Sequence, residues 1–194
     1  MSTADRHIEQ AGGTRRATAN RVRRSLVLAS LFWPLAGLAN RDLAETEATA
    51  GLKRWGSGEF RRFGFLVYEA TLWAGDDPQR PPLALRLDYK RKIDGSSIAD
   101  ASVSEMRKLG ADETKLARWG EQMVRLFPDV VPGDSLIGHY RPDGASFSFN
   151  GKPIGEIADA EFAERFFAIW LDPKTSAPEL RVALLKRPRI DGEG

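Results

Sequence analysis

The sequence predicts an α+β fold, with helices laid on one antiparallel sheet. Three observations carry that reading. Stretches rich in β-formers and stretches with helical periodicity come in blocks: strands, two helices, strands, two helices. That order fits an α+β domain rather than the regular alternation of a parallel α/β one. "LALRLDYKRKI" (residues 83–93) sets Leu83, Leu85, Leu87 and Tyr89 against Ala84, Arg86, Asp88 and Lys90, the alternation of a half-buried strand. Asn150-Gly151 joins two further strand-like runs, and this pair suits a tight hairpin because both central positions of a type I′ turn need positive φ.

The elements follow in order. Residues 1–39 are read as an export signal: basic residues around Arg21, Arg23 and Arg24, an apolar run from Leu26 to Leu38, then small residues at Gly37 and Ala39. The run is too short to span a bilayer, which takes ~20 residues, and Pro34 argues against a buried core helix. Cleavage is expected after Ala39, placing the mature chain in the periplasm. The long basic lead fits either a twin-arginine signal at Arg23-Arg24 or translation starting near Val22. Residues 40–50 are a polar lead. From Leu52 to Trp73 β-formers dominate, with Gly56 and Gly58 marking a turn. "RRFGFLVYEATLW" (residues 61–73) reads as one long strand. After the loop "AGDDPQRPP" and the strand at residues 83–93 come two helices. The first, "SSIADASVSEMRKLG", has Ser97 and Asp100 in capping-box spacing and ends at Gly110. The second, "DETKLARWGEQMVRLF", has Asp112 as N-cap, Leu116, Trp119, Met123 and Leu126 on one face, and Pro128 beyond its end. Strands return at 134–142 and 145–157. "DAEFAERFFAIWL" is a helix with a Phe162, Phe166, Trp170 stripe. "SAPELRVALL" opens with Ser176 and Glu179 in capping-box spacing. Residues 187–194 form a tail.

Composition narrows the chemistry. The 194 residues suggest one domain with a sizeable core. There is no cysteine, so disulfides, thiolate metal sites and a cysteine nucleophile are excluded, and His7 and His139 are the only histidines. No cofactor or metal is expected. Without residues 1–39 the chain keeps 23 basic residues (29 less 6) and 25 acidic ones (27 less 2), a net charge of −2. A nucleic-acid partner therefore lacks the basic surface it would need. No later segment is apolar enough to cross a membrane. Asp129 and Asp134 lack the ligand spacing of a calcium loop and read as turn formers. His139 reads as a strand histidine, and residues 87–94 as a charged strand edge.

The strand at residues 61–73 is apolar on both faces: Phe63, Phe65, Val67, Thr71 and Trp73 on one, Leu66, Tyr68, Ala70 and Leu72 on the other. Two arrangements cover both faces, a central strand between layers or a strand whose second face lines a pocket. Tyr68 is then either a core tyrosine bonded to a backbone carbonyl or a hydroxyl in a ligand layer, and a buried hydroxyl needs a partner in both cases.

"GSGEFRRFGFLVYEATLWAG", "LALRLDYKRKIDGSSIADASVSEM", "LFPDVVPGDSLIGHY", "FNGKPIGEI" and "DAEFAERFFAIWLDPKTSAPELRVALL" together resemble the chalcone isomerase-like family, in the right order over residues 51–186 and in the manner of its bacterial exported branch. The resemblance implies an open-faced β-sandwich, an antiparallel sheet with helices packed on one face and a cleft between them. It further implies that an arginine and a tyrosine hold a fatty-acid carboxylate, as in plant relatives. Tyr68 matches that tyrosine. Arg61 matches the arginine best, with Arg62 in its place if the strand bulges near Gly64; on a regular strand Arg62, not Arg61, shares the face of Tyr68. The plant isomerases place a threonine near the position of Tyr68, and no matching threonine stands here. The expected function is non-catalytic binding of a fatty acid or similar amphipathic carboxylate, with an isomerase or lyase acting on a chalcone-like compound, or a ligand-free accessory protein, as alternatives. One face of residues 61–73 is then expected to enter the core and the other to line the ligand cleft.

Overall fold

A computed structural model describes residues 49–186 of the chain. The export signal at 1–39, most of the lead at 40–50 and the tail at 187–194 lie outside the described residues. Six strands form one antiparallel sheet in sequence order: β1 (Lys53–Arg62), β2 (Phe65–Ala74), β3 (Leu83–Tyr89), β4 (Ser135–Arg141), β5 (Gly144–Phe149) and β6 (Lys152–Ile157). Helices α1 (Gly95–Lys108) and α2 (Glu113–Leu126) lie between β3 and β4, and α3 (Ala160–Leu171) and α4 (Pro178–Leu184) follow β6. The architecture is α+β, as the block order of the sequence implies.

The main core forms where the inward residues of the sheet meet the helices. Leu72, Leu83, Leu85, Leu136 and Phe147 from the strands are buried against Met106, Leu116, Trp119, Met123, Phe162 and Phe167 from the helices. Each such side chain contributes about 1.5–3 kcal/mol when fully buried. The opposite face of the sheet carries a smaller cluster of Trp73, Ala84 and Ile137, with Leu52 packed against it.

Helix starts divide into those with side-chain caps and those without. Asp112 Oδ1 accepts from the Lys115 N–H at 3.1 Å at the start of α2. Asp159 Oδ1 accepts from the N–H groups of Glu161 (3.0 Å) and Phe162 (3.1 Å) at the start of α3. The two expected capping boxes do not form. Helix α1 starts after Asp94 and α4 after Ala177, neither with a side-chain cap. Gly95 N–H is instead taken by Asp129 Oδ1 at 2.8 Å, which anchors the start of α1 to the segment that follows α2.

The region from Leu52 to Trp73 departs most from expectation. Gly56 and Gly58 do not turn the chain; both stay within β1. They are glycines because α4 crosses there. A Cβ on Gly56 would lie 2.0 Å from the Ala183 carbonyl oxygen, and one on Gly58 2.8 Å from the Ala183 Cβ. The turn lies at Phe63-Gly64, with φ of 52° and 80°, so residues 61–73 are not one strand but a hairpin end and the strand β2. Asn150-Gly151, by contrast, makes the expected turn, with φ of 50° and 78°.

A bulge follows the first turn. Phe60 pairs with Tyr68 but Arg61 pairs with Leu66, so Val67 is the extra residue of β2. Beyond the bulge Tyr68 shares a face with Ala70, Leu72 and Ala74, which point under the helices. The cavity described below therefore lies on the same side of the sheet as the core. The expectation that the core takes one face of residues 61–73 and the cleft the other is overturned, because the far face belongs to the Trp73 cluster.

Candidate functional site

A cavity of about 250 Å³ opens between the inner face of β1–β4, helices α1 and α3, and the Thr175–Ala177 segment before α4. Its walls are largely apolar: Val67, Leu87, Ile93, Ile98, Leu136, Phe166 and Ile169 all contribute. Exposed lining residues, Arg62, Ser97, Ala101 and Ser176, mark its open side.

Tyr68 is fixed from three directions. Phe60, its partner across β1, stacks on the ring with centroids 4.9 Å apart. Tyr89, its partner across β3, meets it edge-on at 6.0 Å. From α3, the Trp170 indole N–H donates to the Tyr68 hydroxyl oxygen at 3.0 Å. An indole N–H cannot accept, so the phenol hydrogen is left to donate elsewhere. Burial pushes the Tyr68 phenol above its ordinary range; the Trp170 bond opposes this, and the Glu105 charge adds to it. The Tyr89 hydroxyl is raised by burial and by its neighbour Tyr68, and it makes no hydrogen bond to another described residue. Both phenols are neutral donors near neutral pH.

A carboxylate stands with them. Glu105, on the cavity side of α1, accepts from Lys108 Nζ at 2.6 Å, and both it and Ser176 line the cavity. Burial alone would raise its pKa; the Lys108 bond, the Ser176 hydroxyl and the charges of Lys108 and Arg62 outweigh that and hold it below the usual glutamate range. Arg62 and Lys108 thus supply two positive charges against one negative at this end of the cavity.

The structure brings Arg62 and Tyr68 to the same cavity and leaves Arg61 outside it. Arg61 bonds Glu59 at 2.8 Å and the Gly64 carbonyl at 3.4 Å on the other side of β1. The bulge sits at Val67 rather than beside Gly64, and it turns both Val67 and Tyr68 toward the cavity. The sequence alone does not single out Glu105, Tyr89, Trp170 or Ser176 as site residues. A signal for Glu105 was present: Ile98, Ser102 and Glu105 follow one another at spacings of four and three, one stripe of a helix. Ser97 and Ser176, expected as caps, line the cavity instead. Asp134 acts as a turn former, accepting from the Val131 N–H at 2.8 Å and from Asn150 Nδ2 at 2.8 Å. His139 sits in β4, paired with Ala84 and Ser146, and does not line the cavity.

Comparison with known proteins fits this architecture. The family described as chalcone isomerase-like matches residues 50–186. The chain belongs to the chalcone isomerase-like family. An uncharacterised protein of Haemophilus influenzae is 28% identical over 141 residues, covering 71% of this chain and 70% of the relative. The crystal structure of an Arabidopsis thaliana fatty-acid binding protein superposes with a TM-score of 0.55 at 13% identity, covering 70% of this chain and 87% of that one. At that identity the likeness is one of fold. Within the chalcone isomerase-like frame, this chain's cleft is an apolar chamber with two phenol donors, one paired carboxylate and an arginine at the mouth.

Proposed function

We propose that this chalcone isomerase-like protein is a non-catalytic, exported binder of a fatty acid or similar amphipathic carboxylate. The tail lies in the apolar chamber, and the carboxylate takes a hydrogen bond from Tyr68 with Arg62 as countercharge. The observation that carries the reading is the Trp170–Tyr68 bond. It fixes the phenol and leaves its hydrogen to donate into a chamber of about 250 Å³. A neutral donor beside a cation suits a carboxylate head, and a chamber of that size supports a small ligand over a filled core. The fatty-acid binding protein that shares the fold adds support.

Catalysis has less support. Tyr68 stands where the plant isomerases of the family carry threonine. The phenol is held above its ordinary pKa range and Glu105 below its own, so neither is poised to exchange a proton near neutral pH. Export rests on the charged, apolar and small-residue order of residues 21–40. Among the described residues no helix is long and apolar enough to cross a membrane. The Haemophilus influenzae relative supports a bacterial setting for this branch of the family and says nothing of export.

Native mass spectrometry of protein isolated from cells tests the binding reading: a co-purified acyl carboxylate is expected, and a ligand-free protein that takes up no fatty acid would count against it. N-terminal sequencing of fractionated protein tests export. A periplasmic chain starting near Asn40 is expected, and an intact N-terminus in the cytoplasm would contradict it.

A further inference from the structure

The tip of the β1–β2 hairpin breaks the usual preference for such turns. Phe63 and Gly64 take φ of 52° and 80°, and Asn150 and Gly151 take 50° and 78°. The two turns share a backbone. One holds the Asn-Gly pair that the geometry favours; the other holds a phenylalanine, whose bulk resists positive φ. Nothing inside the fold offsets that choice, since Phe63 is 87% exposed and Phe65, just past the turn, is 60% exposed.

Cations surround the two rings. Residues 61–65 and 90–92 contain Arg61, Arg62, Lys90, Arg91 and Lys92 and no acidic residue. Arg61 pairs with Glu59 and Lys90 with Glu69. Arg62, Arg91 and Lys92 have no ion-pair partner within 4.0 Å among the described residues. The Arg62 guanidinium lies 5.4 Å from the centre of the Phe63 ring, and that of Arg91 4.8 Å from the Phe65 ring. The Lys90 N–H donates to the Val67 carbonyl at 2.9 Å, which ties the 90–92 segment to the hairpin. This basic patch contrasts with the net charge of −2 carried by residues 40–194.

The patch borders the open side of the cavity. Arg62 and Val67, which line the cavity, bracket Phe63 and Phe65 in sequence; Tyr89 and Ile93, which also line it, bracket residues 90–92.

We propose that this tip docks on a lipid bilayer carrying anionic headgroups. Phe63 and Phe65 enter the interfacial zone, where aromatic rings are well accommodated, and Arg91 and Lys92 meet the phosphates. Docked in this way, the protein turns the cavity mouth toward the membrane surface. The proposal does not depend on what the cavity holds.

Vesicle co-sedimentation of the protein isolated from expressing cells tests it, with phosphatidylcholine alone and with phosphatidylcholine mixed with phosphatidylglycerol. Binding to the mixed vesicles is expected, weakening as salt is added. The double variant Phe63→Asn/Phe65→Thr should bind them roughly tenfold less or weaker still. Asparagine suits the turn, so the thermal midpoint of Phe63→Asn should be equal to or above the parent's, which separates lost docking from lost folding. Arg91→Ala/Lys92→Ala should reduce the preference for mixed over neutral vesicles. Four results overturn the proposal: no vesicle binding by the parent, equal binding to both vesicle types, unchanged binding by the phenylalanine double variant, or self-association through the tip without vesicle binding. Vesicle binding without fatty-acid uptake would leave docking standing and remove the ligand reading alone.

Discussion

Trp170 on α3 donates its indole N–H to the hydroxyl oxygen of Tyr68 on β2 at 3.0 Å, a contact between residues 102 positions apart. The helix thereby sets the orientation of a sheet phenol inside the cavity. Tyr68 is not a core tyrosine donating to a backbone carbonyl; it accepts from a side chain and keeps its own hydrogen for another partner.

Glu105 competes with any incoming carboxylate for Arg62 and Lys108. Glu105→Gln removes that anion and keeps the side chain's shape. The variant should bind a long-chain carboxylate roughly three- to tenfold more tightly while binding the matching alcohol as the parent does, since two partly exposed charges several ångströms apart interact by about 1 kcal/mol. Parallel titrations with the acid and the alcohol check this. An equal shift for both would show that Glu105 acts through packing and not through charge.

Asp159 holds the start of α3, the helix that carries Trp170. It accepts from two backbone N–H groups, from Trp119 Nε1 at 3.0 Å, and from Arg118 at 2.5 Å. Burial raises its carboxyl pKa, and these bonds together outweigh that and bring it below the ordinary aspartate range. A group whose folded pKa is depressed contributes stability above its unfolded value, ~3.9 for aspartate, and loses it as pH falls through the folded pKa. Asp159→Ala should cost about 1–2 kcal/mol at neutral pH from the cap alone. Asp159→Asn, which retains a good cap, should cost less and show a shallower loss of stability on acidification. Urea melts at neutral and acidic pH measure both.

Gly56 marks the crossing of β1 and α4. Its Cβ would meet backbone atoms, the Ala183 carbonyl oxygen at 2.0 Å and that of Leu184 at 2.7 Å, so the helix itself would have to move. Gly56→Ala should destabilise the protein by about 1–3 kcal/mol. Gly75→Ala meets nothing within 4 Å and serves as the neutral control. Equal thermal midpoints for the two variants would place α4 elsewhere.

These residues show how much of the molecule was legible in its sequence. Asp112 with Leu116, Trp119 and Met123 announced α2 because a cap and a 3.6-residue stripe are local signals. Asn150-Gly151 announced its hairpin for the same reason. Phe63-Gly64 gives no such signal, since phenylalanine is not a turn residue, and Gly56 and Gly58 carry the apparent turn signal instead. Those glycines answer to α4, more than 120 residues further along the chain, and no local pattern reports that. The site was half legible. Tyr68 is legible as a hydroxyl in an apolar stretch, but the choice between Arg61 and Arg62 is not: the resemblance favours Arg61, and the cavity takes Arg62. The bulge at Val67, which settles which face each residue takes, is a property of strand pairing rather than of composition. Trp170 looked like helix core because its polar atom matters only once β2 lies beneath it.

Calorimetric titration of the parent protein and Tyr68→Phe with a series of fatty acids tests the central claim most directly. A charge-assisted hydrogen bond to a carboxylate is worth about 1.5–3 kcal/mol, so Tyr68→Phe should bind roughly tenfold or more weakly. Arg62→Ala should lose at least as much, and Arg61→Ala should bind like the parent. A parent protein that binds no fatty acid, or a Tyr68→Phe variant with unchanged affinity, would contradict the account.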